Sequence, residues 1–379
     1  MKILAIDTSA DETSVAITED FRVLSSTISS QISAHAKWGG IVPSIARLAH
    51  EERIDAVVNE TLRKAQLSQG EPLKPCFACA VPDWSTPSTA QNRFLAGAKI
   101  SSNPVAIDAV AVTYGPGLSI ALEVGIKKAK QLATAWGKRL IAVNHMEGHM
   151  YSPYISNSKG NPKREVIYPF LSLLISGGHT QIFIVTGNGQ FGMIGQSVDD
   201  AAGEALDKAA KMLGLGYPGG QIIERLSLEV QNIDKYNFPR PMIHNDDCMM
   251  SFSGLKTHLY YFLKGQKGQT VDINNDLQYL ASSFQEAVFG SVISKLSKAV
   301  KDTGVATIAV GGGVSINKRL RYLVRKLAKQ YHGQALFPPY NYLCGDNASM
   351  IGIAAHLQAL RADYVTDFDS LDRVPRLKL

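Results

Sequence analysis

Two histidines four residues apart, His145 and His149 in Asn144-His-Met-Glu-Gly-His149, are the side chains of this sequence best placed to hold a metal ion. On one turn of helix that spacing puts both imidazoles on a single face, which is metal-ligand geometry. The segment is not a zincin motif, in which the glutamate adjoins the first histidine and polarises a metal-bound water. Here Glu147 falls two residues on and points roughly the other way. A third ligand is available in Asp346, within Cys344-Gly-Asp-Asn347 at the opening of the last helical pattern. Two imidazoles and one carboxylate with open positions suit one divalent ion per subunit, zinc or ferrous iron, acting as a Lewis acid on substrate oxygens.

Three glycine-rich turns close strand-like patterns, at Gly115–Gly117, Ser176–Gly178 and Gly311–Gly313. Glycine at a strand end lets backbone approach an anion, and a following helix offers unpaired N–H groups and a positive dipole. Together the turns predict a phosphate or adenosine ligand. None reads GxxxxGKS or GxxxxGKT, which excludes a P-loop NTPase, and none reads GxGxxG with a downstream acid. Glu204 and Asp207, three apart ahead of the Gly214–Gly220 turn, either bind ribose hydroxyls or form an exposed acidic face. Lys318, Arg321, Arg325 and Lys329 make a basic stripe that reads as solvated surface, with nucleic-acid phosphates as the alternative. Cys76 and Cys79 form a lone CxxC without a second pair and read as loop cysteines.

The elements that must position these groups repeat. Ile3–Ser9 runs as a buried strand through a small polar turn into Ser14–Thr18, and Leu171–Thr180 leads into Gln181–Val185 in the same way. Ala109–Gly117 is a strand entering a glycine turn and then a helix with Leu118, Leu122, Ile126, Ala129, Leu132, Ala133 and Trp136 on one face. Thr307–Gly313 is its counterpart, followed by Leu320, Leu323, Val324 and Leu327. Apolar spacing of three and four packs each helix on a sheet, and strands alternating with helices argue for α/β layers present twice. That pattern resembles the architecture of actin, the heat-shock chaperone ATPases and the sugar kinases, whose two lobes hold a ligand in the cleft between them. The expected division is a first lobe over 1–150, interrupted by a Pro-rich insertion near 70–105 and completed by a C-terminal helix over 346–379. A second lobe spans 151–345, with a polar linker near 155–165.

The chain has 379 residues, 45% of them hydrophobic, and a net charge of +6, which permits a polyanionic partner without demanding one. No apolar run reaches the ~18–20 residues of a membrane span, so no membrane association is expected. Four cysteines exclude a disulfide-stapled miniprotein and fit a reducing compartment. The opening MKILAIDTSA reads as a core strand, with no targeting peptide expected.

The chain resembles, over nearly its whole length, the threonylcarbamoyl-adenosine tRNA-modifying family, in its bacterial type and eukaryotic organellar counterpart. The likeness rests on IDTSADETSVAI, HAKWGGIVPSIARLAH, YGPGL, NHMEGH, LLISGGHTQ, DDAAGEALDKAAKMLGLGYPGG, FSGLKT, SFQEAV, AVGGGVSIN and CGDNASMI, in the family's order. It implies that His145, His149 and Asp346 are metal ligands and that Leu174, Ile175, Ser176, Gly177, Gly178, Asp207, Gly220 and Asn317 bind an adenylate substrate. It also implies transfer of a threonylcarbamoyl group from threonylcarbamoyl-AMP to N6 of the adenosine beside the anticodon in ANN-decoding tRNAs, releasing AMP. AMP or ATP analogues would then occupy the same cleft. Glu12, with Asp11 or Asp7 behind it, is the candidate to manage the proton of the attacking amine.

Three departures stand out. The family's VVPE reads Ile41-Val-Pro-Ser44 and lacks its carboxylate, CTDNA reads CGDNA, and YPGGP ends in Gln221. The Pro-rich insertion leans the assignment toward the mitochondrial branch, where the resemblance implies a matrix enzyme acting as a self-sufficient homodimer; bacterial cytoplasm is the alternative. A metal-dependent glycopeptidase is the first rival activity. An ATP-binding kinase or chaperone-like module is the second.

Overall fold

The computed structural model describes residues 1–31, 35, 41–68, 106–265 and 273–379. The Pro-rich segment near 70–105, with Cys76 and Cys79, lies outside them. The described residues form two compact units, 1–165 with 346–379, and 166–345. The boundary falls later than 150/151 because Ser156 still belongs to the first sheet. It bridges to Arg22, and its backbone exchanges hydrogen bonds with Val23 and Phe21.

The first unit is built on a sheet of order β3-β2-β1-β4-β5. Its strands are β1 (Lys2–Asp7), β2 (Glu12–Glu19), β3 (Arg22–Ser30), β4 (Ala109–Gly115) and β5 (Arg139–Asn144). β1 and β2 form an antiparallel hairpin, whereas β4 and β5 run parallel beside β1. Side chains alternate across a strand. Leu4, Ile6, Val15 and Ile17 therefore meet α1 (Pro43–Ser68) and α2 (Ser119–Trp136) in one core. The opposite parity, Ser14 and Thr18 among it, meets the last helix, α9 (Ala348–Leu360): Ala348 donates to Ser14 Oγ, and a Cβ on Gly352 would lie 2.4 Å from Thr18 Oγ1. Asp7 has that same parity, which aims it toward the face where the candidate ligands gather. α3 (His145–Tyr151) follows β5 directly.

The expected C-terminal helix over 346–379 stops at Leu360, and the remainder is an irregular strap. Its backbone bonds to the sheet through Val365 to Leu140 and Val374 to Tyr114, and Gly117 donates to Pro375. A Cβ on Gly115 would sit 2.0 Å from the carbonyl of Val374, and one on Gly117 2.5 Å from that of Ser9. This turn is glycine-rich because backbone packs against it on two sides, so it does not present the anion cradle expected of it.

The second unit repeats the topology, β10-β9-β6-β7-β8, with β6 (Phe170–Ile175), β7 (Thr180–Gly187), β8 (Gln190–Gln196), β9 (Ile308–Gly311) and β10 (Ala335–Leu336). Among the described residues five α-helices accompany it: α4 (Ala202–Met212), α5 (Gly219–Glu229), α6 (Ser253–Leu263), α7 (Ile273–Thr303) and α8 (Lys318–Gln330). Leu171, Leu173 and Ile175 pack with Phe284, Val288 and Val292 of α7 and Leu320 and Val324 of α8. Among the described residues no helix is long and apolar enough to cross a membrane.

Candidate metal centre

α3 begins directly after the last residue of β5 because Asn144 caps it, its Oδ1 accepting the Met146 N–H at 2.9 Å. That fixes His145 and His149 one turn apart, with ring centroids 4.7 Å from each other and planes at 85°. α9 is capped in turn by Asn347, whose side chain accepts from Met350 N. The preceding residue, Asp346, thereby reaches α3. His145 Nε2 and His149 Nε2 lie 3.3 and 3.1 Å from the same Asp346 oxygen. One ligand atom from each of the three falls within 4.8 Å of the others. Both imidazoles are buried, whereas the Asp346 side chain keeps 26% of its surface exposed, so the centre is open on its carboxylate side. The expected triad is assembled within one unit.

The donor set fits a divalent cation on its own chemistry. Two imidazole nitrogens converge on one carboxylate oxygen, and His149 Nδ1 is buried without a hydrogen-bond partner. Burial works against charge on His145, but Asp346 and Asp7 overcome it and push that imidazole up to about 10. His149 is pushed down by burial and by His145. Burial opposes ionisation of Asp346 too, yet the two imidazoles hold it well below the usual carboxylate range. A cation taking His145's place as the counter-charge would satisfy all three groups. The far nitrogen of His145, Nδ1, faces Ser9 Oγ at 3.1 Å and Asp7 Oδ2 at 3.5 Å. A carboxylate behind a ligating imidazole fixes its tautomer and raises its basicity. Asp7→Asn should therefore weaken zinc or iron binding about 10–100-fold; metal content measured by plasma emission after dialysis at fixed free metal tests this, and unchanged occupancy would refute it.

Glu147 does point away, as its position in the motif predicts. Gln358 donates to its Oε2 at 3.1 Å and Arg361 approaches Oε1 at 3.5 Å. It braces α3 to α9 and cannot polarise a water at the histidines, which removes the peptidase geometry. Gly148 explains the rest of the motif, since a Cβ there would lie 3.0 Å from Met350 and Ile351 side-chain atoms where the helices touch. Glu12 opens β2 and is half-buried, and Asp11 precedes it in the β1–β2 turn. Burial and the carboxylates of Asp346, Asp11 and Asp7 push Glu12 up to about 10.

The expected adenylate residues all lie in the second unit. Leu174 and Ile175 are fully buried in β6. Ser176 closes the hairpin turn by accepting from Gly178 N and His179 N. A Cβ added at Gly177, Gly178 or Gly313 meets nothing within 4 Å, so space stands beside those backbones. Close contacts link the neighbouring pieces. Gly203 at the start of α4 donates to the Ser176 carbonyl, Gly312 abuts Ile175, and Asp207 Oδ1 accepts Gly220 N at 2.9 Å. Asp207 is raised by burial, whereas Glu204 pairs with Lys208 instead. Asn317 is buried and committed to α8: its Oδ1 caps Arg319 N and Leu320 N, and its Nδ2 donates to Gln285 Oε1. In the basic stripe, Lys318, Arg325 and Lys329 are exposed, while Arg321 is half-buried against Ser315 and Pro338 carbonyls.

The family described as "TsaD: tRNA N6-adenosine threonylcarbamoyltransferase" matches residues 22–73 and 89–353. A protein of that name from Thermosipho africanus is 39% identical, covering 100% of both chains. Those of Syntrophotalea carbinolica, 39% identical over 93% of this chain and 90% of its own, and Clostridium botulinum, 40% over 100% and 98%, are similarly related. Among solved structures, T. kodakarensis HypF aligns with a TM-score of 0.55 at 11% identity, over 95% of this chain and 48% of that one. Full-length HypF in a phosphate- and nucleotide-bound form gives 0.51 at 14% identity, over 95% and 55%. With the repeated sheet order, this places the fold in the duplicated α/β class of actin, the heat-shock chaperone ATPases and the sugar kinases.

Proposed function

The chain belongs to the tRNA N6-adenosine threonylcarbamoyltransferase family and is a transferase, and we propose that it moves the threonylcarbamoyl group of threonylcarbamoyl-AMP to N6 of the adenosine beside the anticodon in ANN-decoding tRNAs. N6 attacks the carbamoyl carbon, the bond to the phosphate oxygen breaks, AMP leaves and the amine sheds one proton. The observation that carries the reading is the convergence of His145, His149 and Asp346 in a chain of this family. When bound there, a divalent ion supplies Lewis-acid polarisation of the donor's carbonyl.

The residues divide the remaining work by chemistry. Glu12, backed by Asp11, takes the amine proton. Asp7 and Ser9 hold His145 in orientation. The AMP portion is assigned to the turn Ser176–Gly178, with Leu174 and Ile175 supporting it, and to Asp207, Gly220 and Asn317. Helix N-termini beside glycine turns suit its phosphate. Zinc and iron both satisfy the donor set. A mitochondrial setting and a self-sufficient homodimer belong to the same proposal; their support is the Pro-rich segment, set against relatives named above that are bacterial.

Purified protein given threonylcarbamoyl-AMP and an ANN-decoding tRNA transcript should release AMP in step with modified tRNA, without added partners. Modified tRNA without AMP, or metal-dependent cleavage of a glycoprotein, would overturn the reaction. Activity only with added proteins would overturn self-sufficiency alone.

A further inference from the structure

His50 is a fully buried, titratable side chain with no part in the chemistry assigned above. It stands on α1 and reaches the β1–β2 turn at two points. Its Nε2 lies 3.0 Å from the carbonyl of Ala10, and its Nδ1 lies 2.7 Å from Thr13 Oγ1. The two residues between those contacts are Asp11 and Glu12. A carbonyl can only accept, so Nε2 carries a proton. In the neutral ring Nδ1 is then an acceptor, and the Thr13 hydroxyl donates to it. Burial pushes the His50 imidazole down and favours this neutral form.

The staple is itself backed. Gln31, also fully buried, donates its backbone N–H to the Asp11 carbonyl at 3.0 Å and sets its side-chain nitrogen 3.4 Å from His50 Nδ1. His35 Nε2 lies 3.3 Å from Gln31 Oε1, and Val42 N donates to His35 Nδ1. On the same helix Arg53 donates to Ser29 Oγ and the Ser30 carbonyl, and Ser30 pairs with Glu12 across the sheet. Four buried polar side chains, His50, Thr13, Gln31 and His35, gathered beside one short turn are costly unless satisfied, and a satisfied network fixes one conformation.

We infer that His50, with Thr13 and Gln31, is a positioning device that clamps both ends of the Asp11–Glu12 segment so that the Glu12 carboxyl is held at a fixed place for proton transfer. The inference rests on the reading of Glu12 as the proton-handling group. His50 touches no substrate in this scheme; it acts through the turn. Displacing a reacting group by about 1 Å costs on the order of 100-fold in rate.

The test is steady-state and single-turnover transfer with threonylcarbamoyl-AMP as the varied substrate. His50→Leu, which fills the site but makes neither hydrogen bond, should lower kcat about 10–100-fold, with KM for the donor and bound metal per chain unchanged. Thr13→Val should lower kcat in the same direction and Thr13→Ser should restore it. In a Glu12→Gln background, His50→Leu should add no further loss, because the group it positions is already inert. Wild-type kcat in both His50→Leu and Thr13→Val overturns the inference, as does a loss confined to KM or metal content, or an undiminished His50 effect in the Glu12→Gln background. If His50→Leu does not fold, the Thr13 pair decides alone. Glu12→Gln at full kcat would instead remove the role of the turn itself, a different failure from an inert Glu12→Gln beside a fully active His50→Leu.

Discussion

His145→Ala should reduce threonylcarbamoyl transfer about 1000-fold, because losing several kcal/mol of transition-state charge stabilisation corresponds to about three powers of ten. The variant should bind little zinc or iron and should still fold. Its helix does not depend on that imidazole: Asn144 caps it, Glu147 ties it to Gln358, and Gly148 seats it against Met350 and Ile351. What the alanine leaves behind is Asp7, Asp346 and Glu12 grouped around a missing positive charge. Far-UV circular dichroism checks the fold, plasma emission the metal, and AMP release the chemistry. Full activity of this variant in a metal-stripped sample would sink the metal assignment.

That triad was legible because two ligands share one helical turn and the third, Asp346, stands at the opening of the last helical pattern. The duplication was legible for a related reason: Ile3–Asp7 and Leu171–Ile175 are largely apolar strands, each followed by a small polar turn, and both lie at the centre of their sheets. What stayed hidden depends on tertiary contact. The first unit extends past residue 150 because Ser156 pairs with an edge strand more than 130 positions earlier, which no local pattern encodes. Gly115 and Gly117 look like an anion turn in isolation, and only the returning strap at Val374 and Pro375 shows what their missing side chains accommodate. Asp7 reads as a reserve behind Glu12, and Ser9 as part of a small polar turn, until His145 stands beside them. His50 sits among the helix-forming residues of α1, and nothing in its spacing announces a bond to Ala10, forty residues away.

Glu12→Gln should lower kcat about 100- to 10,000-fold, the usual worth of a positioned acid or base, while leaving binding of the donor intact. Glutamine keeps the volume and the hydrogen-bonding reach of the carboxyl but can neither take nor give a proton, so the loss isolates that one capacity. The group's surroundings make the role chemically specific. Burial and the carboxylates of Asp346, Asp11 and Asp7 around it push Glu12 up to about 10. A nearby positive charge favours the ionised form, so occupancy of the His145–His149–Asp346 centre draws Glu12 down toward the range in which a carboxylate can act as a base. The metal-loaded enzyme should then gain activity as pH rises through the Glu12 pKa, and Glu12→Gln should lose that ascending limb along with its rate. Asp11→Asn should cost less, since Asp11 acts on Glu12 by its charge rather than on the amine. If Glu12→Gln and Asp11→Asn both keep wild-type kcat and the same pH profile, the turn only shapes the hairpin and the amine's proton leaves by another route.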